Sequence, residues 1–128
     1  MDAGDRIWNR AAMQGGGDKP APGDRALADA LSFHSLAMSG GVLDAVERSG
    51  NLTGAQDGFS WLGLDRIAEL LASVRHDIDA GAVDDEDRME ALEREADQRY
   101  NAVLTSDSDL ESAFRGRLAE DPTAFAAS

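Results

Sequence analysis

Cysteine is absent from this chain of 128 residues. Disulfides and thiolate metal sites are therefore excluded, and the redox state of the compartment is left open. Aromatic side chains are scarce: two Trp, one Tyr and four Phe. Leu, Ile, Val, Met and Ala must fill most of any core. Basic residues number 12 against 25 acidic ones, Lys19 being the one lysine, and the formal charge is −13. Such a charge repels nucleic-acid phosphates and anionic membrane surfaces. The expectation is no direct nucleic-acid binding and no membrane partner; a partner chosen by electrostatics is a basic protein. No apolar run approaches the ~18 residues of a membrane span. The first twenty residues lack the apolar stretch of about 7–15 residues that marks a signal peptide. A cytoplasmic protein is expected.

Motifs for catalysis are missing too. There is no HExxH pair, no nucleophile elbow and no phosphate-cradling GxxxxGK[ST] loop. Asp77-x-Asp79 begins like a calcium loop, but its glycine comes one position early and Arg88 stands where the bidentate Glu belongs. Asp107-x-Asp109-x-Glu111 lacks the glycine altogether. His34 lies on an apolar helical face and reads as a core histidine with a satisfied hydrogen bond, while His76 lies opposite the apolar stripe of its helix and reads as exposed. The expectation is a non-enzyme without cofactor or metal, because no geometric role of an active site can be assigned.

Helical periodicity runs through most of the chain, and no segment alternates with period two for long enough to form a strand. The length suits one domain. The fold class is all-α: a single bundle of five or six helices over residues 24–128, after a flexible N-terminal segment, residues 1–23, that is mobile or loosely docked through Trp8. Within that segment residues 2–13 are a candidate short helix with Asp2 as cap, and Gly15-Gly16-Gly17-Asp18-Lys19-Pro20-Ala21-Pro22-Gly23 reads as a linker. Leu27, Ala30, Leu31, His34 and Met38 share one helical face up to Gly40-Gly41. Val42, Leu43 and Val46 form a short helix. Thr53 and Gln56 fit a capping box before Phe59 and Trp61. Asp65 is the expected cap of a helix carrying Ile67, Leu70, Leu71, Val74 and Ile78, closed by Gly81. Met89, Leu92, Ala96, Tyr100 and Val103 mark the next helix. Ser106 or Ser108 opens a last one, with Leu110, Phe114 and Leu118 inside and Asp121-Pro122 ending it.

The acidic side chains are not spread evenly. Between Asp77 and Asp97 there are ten Asp or Glu against Arg88 and Arg94. At 100° per residue, Glu86, Glu90, Glu93 and Asp97 fall on one shoulder of their helix, with Asp84 and Asp85 at its start. Neighbours on such a row have Cβ atoms about 5–6 Å apart. A row of carboxylates at that spacing offers negative charge to a basic surface much as phosphates do. Glu90 with Arg94, and Glu95 with Arg99, are expected i,i+4 pairs that would partly neutralise the helix. Asp84, Asp85, Glu86, Glu90, Glu93 and Asp97 are the candidate partner-binding residues.

Three stretches resemble the DNA mimic protein family, a group of small, acidic, all-helical bacterial domains. The first is Leu31-Ser32-Phe33-His34-Ser35-Leu36-Ala37-Met38-Ser39-Gly40-Gly41-Val42-Leu43, with Ser39 where the family has Asn and Val42 where it has an aromatic. The second is Phe59-Ser60-Trp61-Leu62-Gly63-Leu64-Asp65-Arg66-Ile67-Ala68-Glu69-Leu70-Leu71, similar to the family's Leu-Gly step into a long helix. The third is Asp97-Gln98-Arg99-Tyr100 with the final helix and Asp121-Pro122-Thr123-Ala124-Phe125. The resemblance implies a helical domain that binds protein, offers an acidic surface to a DNA-binding partner, and is compatible with a homodimer. The alternative expectation is an immunity or antitoxin-like protein that blocks one toxin through shape and apolar contacts around Trp61 or the Gly40-Gly41 turn.

Overall fold

The computed structural model describes residues 1–127. Within them the chain is all-helical: α1 (Ala3–Gln14), α2 (Pro22–Gly40), α3 (Val42–Arg48), α4 (Leu52–Trp61), α5 (Asp65–Asp79), α6 (Glu86–Val103) and α7 (Asp107–Glu120), with 3-10 turns at Ala82–Asp84 and Pro122–Ala124. Seven α-helices stand where five or six were expected, and the additional one is α1.

The N-terminal segment is built into the fold instead of leading loosely into it. Asp2 accepts the Asp5 N–H at 2.8 Å and Asp5 accepts the Asp2 N–H at 3.3 Å, a capping box that starts α1. Ile7 and Ala11 are buried, and Trp8 packs against Phe114 with ring centroids 5.9 Å apart. The glycine run that reads as a linker is a turn of fixed shape. Gly15, Gly16 and Gly17 have φ of +60°, +101° and +92°, a left-handed path that other residues avoid. It returns the chain to Pro22, the first residue of α2.

Asp24 secures that return. Its carboxylate is fully buried and accepts the Ala21 N–H at 2.9 Å, the Ala126 N–H at 2.8 Å and the Arg10 guanidinium at 3.0 Å. Arg10 also donates to the Ala126 carbonyl at 3.1 Å. One side chain thus joins α1, the start of α2 and the C-terminal segment. Arg115 makes a second, more exposed tie from α7, reaching Asp5 and Glu111 at 2.8 Å each and Asp2 at 3.4 Å.

Helix α2 is the spine, packed against α1, α3 and α4. Its closest approach is to α4, where Gly58 meets the Ala26 carbonyl; a Cβ at Gly58 would lie 2.5 Å from that oxygen. Gly58→Ala is therefore expected to destabilise by about 1–3 kcal/mol through overpacking. Gly116→Ala, in α7 with no atom near the added methyl, is expected to stabilise by about 0.5–1 kcal/mol. Urea denaturation of both variants checks the contrast, and equal effects would refute the packing argument.

The core contains Leu27, Leu43, Leu62, Ile67, Leu70, Leu71, Val74, Leu110 and Phe114, all read as inward-facing from periodicity. Leu31, Ile78, Met89, Leu92, Val103 and Leu118 are half-buried at its rim. Phe33, Phe59 and Tyr100 form its aromatic centre; the Phe33 and Phe59 rings meet edge to face at 5.9 Å. Two helix starts differ from expectation. Asn51, not Thr53, caps α4, accepting the Gly54 N–H at 3.1 Å. Asp65 is the first residue of α5 and takes a hydrogen bond from the Ser60 hydroxyl at 3.2 Å instead of capping. Helix α7 starts after Ser106, one of its two expected openings, and Asp109 accepts the Thr105 and Ser106 N–H groups there.

Candidate protein-binding face and the buried histidine

Gly81 ends the α5 region with φ +93°, as its position predicts, and the acidic run follows. Asp85 is the N-cap of α6: its carboxylate accepts the Asp87 N–H at 3.0 Å and the Arg88 N–H at 3.3 Å. That explains one acid by the free N–H groups of a helix start. Asp84, Glu86, Glu90 and Glu93 are exposed. Among the described residues none of them is within ion-pair distance of an arginine. The expected Glu90–Arg94 and Glu95–Arg99 pairs are not formed. Glu86, Glu90 and Glu93 are thus an unneutralised row on the outer shoulder of α6.

Asp97 leaves that row. It is half-buried and accepts the Val42 N–H at 2.9 Å. Helix α3 has no capping side chain of its own, because its N-cap is Gly41. Asp97 supplies the missing acceptor from α6, and Gly41 leaves room for it: a Cβ there would lie 3.3 Å from both carboxylate oxygens. The helical wheel could not reveal this, since the partner is 55 residues away in sequence.

His34 is buried with both ring nitrogens satisfied. Nδ1 lies 2.7 Å from the Tyr100 hydroxyl and Nε2 lies 2.8 Å from the Asp107 carboxylate. A carboxylate only accepts, so Nε2 carries a proton, and in the neutral ring Nδ1 accepts from the Tyr100 O–H. The ring also stacks on Tyr100, with centroids 5.8 Å apart. Burial, and then the negative charge of Asp107, push the Tyr100 hydroxyl well above its ordinary range. His76 is exposed, as its place on α5 predicts.

Tyr100, His34 and Asp107 stand in the order nucleophile, base and orienting acid. Their surroundings do not suit that chemistry. Tyr100 is 1% exposed, and its raised pKa keeps the hydroxyl protonated and a poor nucleophile. The His34 network works as a strut between α2, α6 and α7. Asp107 is the member that sequence spacing does not reveal; the one hint is that a histidine on an apolar face requires polar partners.

Outside His34 a groove of about 740 Å³ opens between α1 and α2. Trp8, Met13, Leu31, Leu36 and Met38 line it, together with His34 and Asp107. Among the described residues no three His, Asp or Glu side chains are grouped to hold a metal ion, and no helix is long and apolar enough to cross a membrane. No protein-family model matches the chain, and no curated protein or solved structure matches it either.

Proposed function

We propose that this chain is a non-catalytic acidic protein that binds a basic protein surface through the outer shoulder of α6, in the manner of a DNA mimic. The observation that carries this reading is that Glu86, Glu90 and Glu93 are exposed with no arginine within ion-pair distance. Asp84 adds charge at the same end. Asp85 serves α6 first and can still present its outward oxygen. Asp97 contributes through α3 and not through the partner.

The physical case is one of cost and compensation. Placing like charges at i,i+4 costs a few tenths of a kcal/mol per pair in the free protein. A basic partner relieves that repulsion and gains attraction over the whole row, much as DNA-binding proteins do from phosphates. The resemblance to the DNA mimic protein family supports the same reading. The immunity or antitoxin-like alternative has less support. Trp61 is engaged by Phe125 and by the Arg117 guanidinium 4.5 Å above its ring. The Gly40-Gly41 turn is occupied by Asp44 and Asp97. Both surfaces serve the chain's own fold.

The test is reversal of the row, Glu86→Lys with Glu90→Lys and Glu93→Lys. These side chains are exposed, so the circular dichroism spectrum should be unchanged. Immobilised wild-type protein should capture a basic DNA-binding protein from host lysate, and the reversed variant should not. Affinity for the captured protein should fall steeply as salt shortens the Debye length below about 8 Å. Capture that survives the reversal, or that ignores salt, refutes the proposal.

A further inference from the structure

We infer that the groove between α1 and α2 docks the apolar face of a basic amphipathic helix presented by a protein partner. The inference rests on the reading of the partner as a basic protein, but different residues carry it. Among the described residues three large apolar side chains are left exposed, and two of them, Met13 at 81% and Met38 at 47%, line this one groove. Trp8, Leu31 and Leu36 complete the apolar wall. Methionine is unbranched and flexible, so a Met-lined wall adapts to apolar side chains of different shape.

The groove also specifies the charge of its occupant. Among the described residues no Lys or Arg lines it, and its one carboxylate is that of Asp107. One oxygen of that carboxylate is committed to His34, while the side chain is 78% exposed. Met38 also lines a smaller concavity that reaches Asp97 and Asn101 of α6. Met38 therefore stands between the apolar groove and a more polar concavity on the acidic helix. A helix with one apolar face and lysines or arginines on its flanks matches both features, and helix-in-groove docking uses anchors at i, i+3, i+4 and i+7. A second copy of this chain matches them less well, since two bodies of charge −13 repel.

The probe is a fluorescent peptide of about 18 residues, long enough to be helical on binding, with leucines on one face and lysines on the rest. Its control has the same composition with the leucines scattered. In a Trp61→Phe background, Trp8 is the sole indole, and its emission should shift to the blue when the probe binds. Met13→Glu with Met38→Glu should weaken the probe roughly tenfold or more, since centrally placed anchors dominate such interfaces. Both methionines are exposed, so the fold is kept. The added carboxylates attract lysine, so the loss reports apolar contact alone. Equal binding of the scattered control, or undiminished binding by the double Glu variant, overturns the inference. Glu86→Gln with Glu90→Gln and Glu93→Gln separates the two proposals. Loss there with no loss in the groove variant leaves the α6 reading and removes this one, and the opposite pattern does the reverse. A dimer of the free chain in sedimentation velocity that Met13→Glu dissociates would assign the groove to a second copy, and would also overturn it.

Discussion

Asp24→Ala should destabilise the protein by about 3–5 kcal/mol, the usual cost of breaking a buried ion pair by removing one partner. A domain of this size has about 5–15 kcal/mol in total, so the loss is a large share. Three donors lose their acceptor at once: the Ala21 N–H, the Ala126 N–H and the Arg10 guanidinium. Arg10 keeps only the Ala126 carbonyl. Asp24→Asn preserves shape and an acceptor oxygen and should lose less. Arg10→Met should also lose less, because the carboxylate retains its two backbone donors. The variants can be ranked by urea denaturation. Limited trypsin digestion adds a local readout, since Arg6 and Arg10 become accessible if α1 undocks. A loss below about 1 kcal/mol with α1 still protected would show that Asp24 does not hold the termini together.

The second large effect is at Tyr100, one of the largest fully buried side chains. Tyr100→Ala removes the ring that meets His34, Phe33 and Phe59, and should cost about 3–5 kcal/mol. Tyr100→Phe keeps the ring and deletes only the bond to His34, for about 1–3 kcal/mol. The same hydroxyl makes stability fall in alkali. Its pKa is raised in the folded protein from an ordinary value of 10.0. Above that value the unfolded chain releases the proton while the folded chain retains it, so the unfolded state binds fewer protons and stability declines with pH. The contribution is complete below the unfolded pKa and is lost on the way up to the folded one. This is the sole tyrosine, so tyrosinate absorbance reports it without overlap. Tyrosinate should appear together with unfolding, and Tyr100→Phe should flatten the alkaline decline. Ionisation near the ordinary tyrosine value in the folded state would refute this.

Much of the fold is legible in the spacing of apolar residues. Ile67, Leu70, Leu71 and Val74 announce α5, and Gly81 announces its end, because a helix buries one face and its termination needs a left-handed residue. The N-terminal segment is not legible in that way. A glycine run signals flexibility in composition and a tight left-handed turn in structure, and only the contacts of Trp8, Arg10 and Asp24 distinguish the two. The acidic row is partly legible. Helical geometry aligns Glu86, Glu90, Glu93 and Asp97 equally well, yet Asp97 is drawn to an uncapped helix far off in sequence.

The sequence by itself determined the helical class, the place of most helices, many of the inward-facing side chains and the net charge. These depend on local periodicity and composition, which no distant residue can alter. Tertiary structure alone decided which charges are spent inside the molecule. Asp24 closes the termini, Asp97 caps α3 and Asp107 holds His34, while Glu86, Glu90 and Glu93 remain in water. A carboxylate's role depends on the donors that reach it, and here those donors arrive from helices that only folding brings together.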